Sequence, residues 1–394
     1  MDINVTDAMF ALLRTAFDHC AELDEGHTRI IKNNLKNIYK ISTRNDIAHI
    51  VGYALETQGL IDVEDECFAE FQKQQYLAIY RCEGMEYEIS RIRIALENSG
   101  IDFVMLKGAT IRDMYPEGWM RTSSDIDILV RRETLDDAER VLVCELGYIK
   151  GYEGTHDRSL HTDGGIHIEL HFDLIEENKA NNARDVLNDV WEHTRLAEGK
   201  SAEHEMLDGM FYFYHIAHLA KHVEYAGSGI RPFIDLWLIN NSEERSDVSR
   251  KELLLRGGLD KFAGFCDELS LHWFEAAPIS DDGKRFERFI LNCGIYGSEE
   301  NRIIINRKAR GGTLGYIWRR LFYPYRVLVQ LYPVLKKHKW LTPFCQMARW
   351  FKLITGEKTK KAINEVKLSV KTNQSDVQEM QKFLFDMGLD CNAK

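Results

Sequence analysis

Three acidic residues stand out by type and spacing. Asp125 and Asp127 alternate in Asp-Ile-Asp-Ile-Leu-Val (125–130), so an extended strand sends both carboxylates to one face and Ile126 and Ile128 to the other. Two carboxylates that close repel, and one is driven to protonate unless a cation lies between them. Hard oxygen ligands on a rigid strand suit Mg²⁺, with Mn²⁺ as the alternative, held by one or two carboxylates and substrate phosphates. Glu169 alternates in the same way within 166–174, where His167, Glu169, His171 and Asp173 share one face and Ile166, Ile168, Leu170 and Phe172 the other. A third acid on a neighbouring strand completes a two-ion arrangement, in which one ion activates an attacking hydroxyl and the other neutralises leaving phosphates.

Upstream, Lys107-Gly108 closes a short apolar run. A glycine at a strand-to-helix turn lets backbone N–H groups and a helix N-terminus approach phosphate oxygens. Lys107 and Arg121 are the nearest cations able to balance a triphosphate, Arg121 with a fork matched to two oxygens, and Ser123 and Ser124 can donate hydrogen bonds to the same group. An acid pair of this spacing also occurs on solvated strand edges, surface turns and in glycosyltransferases that use sugar nucleotides. Its company with Lys107-Gly108 and Glu169 favours the metal site. The His-x-Glu-x-His order differs from the helical His-Glu-x-x-His of zinc proteases, which argues against zinc. Further along, His215, His218 and His222 recur at helical spacing beside Lys221, followed by Gly229, Arg231 and Asp235. A half-buried helix face and a substrate contact both account for them, and Asp235 is expected to orient Arg231 through a salt bridge.

These residues need a small sheet to hold them. Phe103–Leu106, Asp125–Val130 and Ile166–Leu174 read as strands, and helices are expected over Ala109–Tyr115 and Leu135–Leu146, the latter ended by Gly147. The stretch between Gly147 and Ile166, rich in Gly, His and Asp, reads as a polar connection. Residues 1–98 read as helical: Phe10, Leu13, Phe17 and Cys20 keep a face, as do Ile30, Ile31, Leu35 and Ile38. Ser42 or Thr43 is expected to cap a helix through Ile47, Ile50 and Val51 that stops at Gly59, and Gln74 to Asn98 forms a long helix ended by Ser99-Gly100. Helices return after about residue 185, with a break at Gly227-Ser228-Gly229, a joint at Gly311-Gly312 and a polar tail after Thr372. The expected class is α+β: a mixed sheet with helices between N- and C-terminal helical regions. The expected boundaries are 1–98, 99–180, 181–310 and 311–394.

With 394 residues, the chain is long enough for several packed sub-domains with clefts between them. Its net charge of −11 opposes bulk DNA or RNA binding, while a local basic patch could still receive one nucleotide. Eight scattered cysteines without a Cys-x-x-Cys pair suit a reducing cytoplasm. No signal peptide is evident after Met1, and no apolar run reaches the ~18 residues of a membrane span. The segment Arg319 to Lys352 interleaves Arg320, Arg326, Lys336, Lys337, Lys339 and Arg349 with aromatic residues. It could serve peripheral membrane contact, an anionic polymer or a partner protein, or pack as a basic appendage on the acidic body.

The order of Gly-Ile-Asp-Phe-Val-Met-Leu-Lys-Gly-Ala (100–109), Arg-Thr-Ser-Ser-Asp-Ile-Asp-Ile-Leu-Val (121–130) and His-Ile-Glu-Leu-His (167–171) resembles the uncharacterised nucleotidyltransferase family of the DNA polymerase beta superfamily. The likeness extends through His218 to Asp235 and the Tyr-Pro and Thr-Pro steps near 323–343. It implies transfer of a nucleoside monophosphate from an NTP to a hydroxyl or phosphate acceptor, with release of pyrophosphate. It places the glycine turn at Gly108 and the catalytic, metal-holding acids at Asp125, Asp127 and Glu169. It implies nucleotide binding by Lys107, Gly108, Arg121, Ser123, Ser124, His171, Lys221, His222 and Arg231, two Mg²⁺ ions, and a small-molecule or protein acceptor. Ala109 stands where the superfamily carries a second Gly or a Ser, which keeps open an alternative: a binding or regulatory module with the same fold and little turnover.

Overall fold

The computed structural model describes residues 3–18, 21–174, 182–294, 322–355 and 374–389. Cys20, Cys391, Gly311-Gly312, Arg319 and Arg320 lie outside the described residues. Among those described, seven strands form one mixed sheet: β1 (Phe103–Met105), β2 (Asp125–Val130), β3 (Ile149–Glu153), β4 (Asp157–His161), β5 (His167–His171), β6 (Thr194–Leu196) and β7 (Glu203–Met206). Their order is β3-β4-β5-β2-β1-β7-β6. β2 lies at the centre, antiparallel to β1 and parallel to β5.

Among the described residues five helices precede the sheet, the first four being α1 (Ile3–Phe17), α2 (Glu25–Asn33), α3 (Leu35–Arg44) and α4 (Ala48–Thr57). The expected cap at Ser42 or Thr43 does not form, because both residues belong to α3. Asp46, with φ of 54°, makes the break, and α4 starts after Ile47. α4 does stop before Gly59, whose φ is 61°. α5 (Phe68–Asn98) begins earlier than Gln74 and ends ahead of Gly100, where a φ of 63° suits glycine. α6 (Gly108–Ile111) is one turn, continued by a 3-10 turn to Met114, and α7 (Leu135–Cys144) follows β2. After β5 come α8 (Ala183–Leu187), α9 (Asp208–Tyr225), α10 (Arg231–Asn240), α11 (Asp247–Gly257), α12 (Asp260–Glu275) and α13 (Asp281–Cys293).

Strand alternation divides the core into two layers. Phe103 and Met105 of β1, Ile126, Ile128 and Val130 of β2, and Ile168 and Leu170 of β5 pack with Ile89, Ile92 and Leu96 of α5 and Leu142 of α7. The opposite phase, Val104, Leu106 and Leu129, joins a larger core shared by helices before and after the sheet. There Phe10 of α1 stacks on Trp273 of α12 at 4.5 Å, and the Arg14 guanidinium donates to the Trp273 carbonyl. The helices of the first hundred residues therefore pack on those after β7, and the sheet's polar face looks into the space they enclose.

Two features depart from the sequence reading. The polar connection after Gly147 is the β3–β4 hairpin, and β6 and β7 add two further strands on the other side. The stretch after Thr372 is no polar tail throughout, since Gln374–Asp386 is a helix whose Phe383 and Leu384 enter the larger core.

Candidate active site

In the parallel β2–β5 pair, Asp125 stands opposite His167, Asp127 opposite Glu169 and Leu129 opposite His171. The strands alternate in phase, so all three acids leave the same face, away from the layer of α5 and α7. Ligand atoms of Asp125, His167 and Glu169 lie within 4.8 Å of one another, as do those of Asp127, Glu169 and His171. Glu169 belongs to both sets.

Position in the sheet decides the charge state of each group. Asp127 is 4% exposed, yet its carboxyl is held below the ordinary range. Burial acts against ionisation, but the Lys107 ammonium at 3.4 Å and His171 Nε2 at 2.9 Å outweigh it. Among the described residues no cation forms an ion pair with Asp125, and the pull of Lys107 on it is the smaller effect. Burial first, and then the negative charge of Asp127, push its carboxyl upward. Glu169 is lowered, chiefly by its hydrogen bond with His171 at 3.3 Å. Burial disfavours a charged His171, but bonds to Asp127 and Glu169 raise it to about 9, so it is an imidazolium at neutral pH. Its Nδ1 is buried and finds no hydrogen-bond partner among the described residues. The Lys107 side chain is 23% exposed, and its ammonium is raised because Tyr214, Asp127, Asp125 and Glu169 together overcome desolvation.

This donor set fits a hard divalent cation. Three carboxylates crowd a poorly solvated pocket, and burial together with the charge of Asp127 is forcing Asp125 toward its neutral form. Asp125, Asp127 and Glu169 are the groups that could hold it.

The turn before α6 shows why glycine is required at 108. A Cβ there would lie 3.1 Å from Arg121 Nη1 and from Ser123 Oγ, and 3.2 Å from Ser123 Cβ. The demand comes from close approach of neighbours, whereas the strained backbone belongs to Lys107, with φ of 40° and ψ of −103°. The expected cradle of backbone N–H groups is smaller than the sequence suggests. α6 has four residues, and the amides of Ala109, Thr110 and Ile111 already donate to the carbonyls of Leu106 or Lys107. The Ala109 side chain packs in the apolar layer with β1 and β2, so a hydroxyl at this position would enter the core.

Lys107, Gly108, Arg121, Ser123, Ser124, Asp125, Asp127, Glu169, His171, Lys221, His222 and Arg231 all line one cavity of about 1090 Å³. α9 closes one wall with Tyr214, His218, Lys221 and His222, which share a helix face, and α5 forms another with Tyr80, Gly84 and Tyr87. His218 and His222 approach at 2.9 Å between their Nε2 atoms, and burial followed by the charge of Lys107 holds His218 well below its ordinary range.

The two arginines are both anchored. Arg121 grips Asp235 through Nε at 3.1 Å and Nη2 at 2.9 Å, and Tyr115 Oη donates to the same carboxylate at 2.7 Å. Arg231 instead meets Asp46 at 3.1 Å and the Thr122 carbonyl at 2.9 Å. The expected Asp235–Arg231 orientation by salt bridge is therefore corrected. Asp235 braces Arg121 beside Gly108, because folding brings α10 against the segment that leads into β2. The sequence reading also passed over Tyr214, which faces the Lys107 ammonium, and Asp46. Tyr214 had a signal, since it falls four residues before His218.

Among the described residues no helix is long and apolar enough to cross a membrane. No curated protein and no solved structure is significantly similar to the chain. One family model, for an uncharacterised nucleotidyltransferase, matches residues 32–274, which hold the whole sheet, the acids and most of the flanking helices. The chain belongs to that nucleotidyltransferase family.

Proposed function

We propose that this nucleotidyltransferase moves a nucleoside monophosphate from an NTP to a hydroxyl or phosphate on a small-molecule or protein acceptor, with release of pyrophosphate. The observation that carries the reading is the convergence of Asp125, Asp127 and Glu169 from paired parallel strands at a cavity large enough for a nucleotide and a second substrate. Two Mg²⁺ ions, when bound by these acids, would supply Lewis-acid polarisation and neutralise phosphate charge.

The rest of the work falls to the chain itself. Lys107 presents a fixed positive charge beside the acids, suited to the triphosphate. Gly108 lets Arg121 and Ser123 approach the turn closely, and Ser123 and Ser124 offer hydroxyl donors from the segment before β2. Arg121, held by Asp235, keeps its remaining Nη1 near that turn. His171 bridges Asp127 and Glu169 and so fixes both carboxylates. Glu169, the more exposed of that pair, would complete the metal site and help take the proton of an acceptor hydroxyl. His218, Lys221 and His222 of α9, with Arg231, would face base and acceptor across the cavity.

Incubation with each α-³²P-labelled NTP, Mg²⁺ and an acceptor panel drawn from a metabolite extract tests this. Pyrophosphate release and label transfer that vanish in Asp125→Asn and Asp127→Asn support the reading. Nucleotide bound without turnover across the panel would overturn it in favour of a binding module.

A further inference from the structure

From Asn301 to Gly356 the sequence contains no Asp or Glu but twelve Lys and Arg, in a chain whose net charge is −11. The described part of this stretch, residues 322–355, has an apolar cluster of its own, built on Leu328, Leu335 and Cys345. Its longest helix, Thr342–Thr355, is turned against the usual pattern. Cys345, Gln346 and Arg349 are buried, with Arg349 4.0 Å above the Tyr323 ring, whereas Phe344 and Met347 are each 60% exposed. At 100° per residue, Phe344, Met347 and Phe351 fall on one stripe, and Phe351 is 70% exposed. Trp340, 69% exposed and edge-on to Phe344 at 6.2 Å, extends the stripe, and the exposed Lys337, His338 and Lys339 flank it.

A soluble surface gains nothing from an outward aromatic stripe beside lysines, but an interface between hydrocarbon and anionic headgroups rewards both halves. We propose that Trp340, Phe344 and Met347, with Lys337 and Lys339, dock this protein on an anionic lipid surface. The apolar stripe enters the acyl boundary while the lysines meet headgroup phosphates. Contact is peripheral, since the helix is too short to span. Nucleic acid fits less well, because its phosphates would leave Phe344 and Met347 in water. A second copy of the chain would bring two basic arrays face to face.

The full-length protein is to be sedimented with vesicles of phosphatidylcholine alone or mixed with phosphatidylglycerol. The bound fraction should be on the order of tenfold higher with phosphatidylglycerol and fall as salt is raised. Phe344→Ser/Met347→Ser and Lys337→Glu/Lys339→Glu should each lower binding on the order of tenfold. Both variants should keep the wild-type circular dichroism spectrum and nucleotidyl transfer. Trp340→Phe should remove the blue shift in fluorescence seen on adding anionic vesicles. The proposal is overturned if the wild type stays in the supernatant or if both double variants bind as it does. It is equally overturned if the substitutions abolish RNA binding or self-association while vesicles are ignored.

Discussion

Asp235→Ala tests how the helices after the sheet hold the phosphate side of the cavity. The substitution removes the acceptor for Arg121 Nε, Arg121 Nη2 and Tyr115 Oη in a site where the Arg121 and Asp235 side chains are only 7% and 3% exposed. Stranding one member of a buried ion pair costs about 3–5 kcal/mol, and an orphaned tyrosine hydroxyl adds about 1 kcal/mol. Urea denaturation should thus show a loss of roughly 4–6 kcal/mol. Arg121→Met/Asp235→Leu removes both charges together. Because desolvation nearly cancels the attraction of such a pair, this variant should lie within about 1–2 kcal/mol of wild type. Its activity should nonetheless fall, since the guanidinium beside Gly108 is gone. The reasoning is refuted if Asp235→Ala costs under about 1 kcal/mol, or if the double variant is as unstable as the single one.

Gly108→Ala puts a methyl 3.1 Å from Arg121 Nη1 and Ser123 Oγ, so kcat/KM should drop by about tenfold or more while stability falls by only about 1 kcal/mol; full activity in steady-state assays would contradict the close-approach argument. Glu97 accepts hydrogen bonds from Ser201 N, Ser201 Oγ, Ala202 N and Glu203 N, and these backbone bonds above all lower its carboxyl to about 2. A depressed carboxyl stabilises the fold fully above its unfolded value near 4.5 and loses that contribution as pH falls through about 2. Glu97→Gln should therefore cost about 1–2 kcal/mol at pH 7, with the gap to wild type closing toward pH 2; a gap independent of pH in denaturation curves would count against it.

The acids were legible in the sequence because strand alternation is a two-residue code that Asp125, Asp127 and Glu169 obey, with Ile126, Ile128, Ile168 and Leu170 marking the opposite face. The register of β2 against β5 was not legible, since no local pattern says which strands pair. β3 escaped because all its residues are exposed, so no apolar face announces it, and β6 and β7 are too short and polar to carry a period. Asp235 sits one helical turn from Arg231, which makes that pairing the natural local guess. Its true partner, Arg121, lies more than a hundred residues away and is reached only through the packed helices. The α9 wall was half visible: the spacing of His218 and His222 gave the face, but not the fact that Lys107 lies opposite it.

Mn²⁺ binding followed by electron paramagnetic resonance, with a non-hydrolysable NTP present, tests the central claim most directly. Wild-type protein should take up the ion, and Asp125→Asn, Asp127→Asn and Glu169→Gln should each weaken uptake at least about tenfold, because each removes a charged oxygen ligand. Uptake that is unchanged in all three variants would contradict the assignment of these carboxylates as the metal-holding heart of the site.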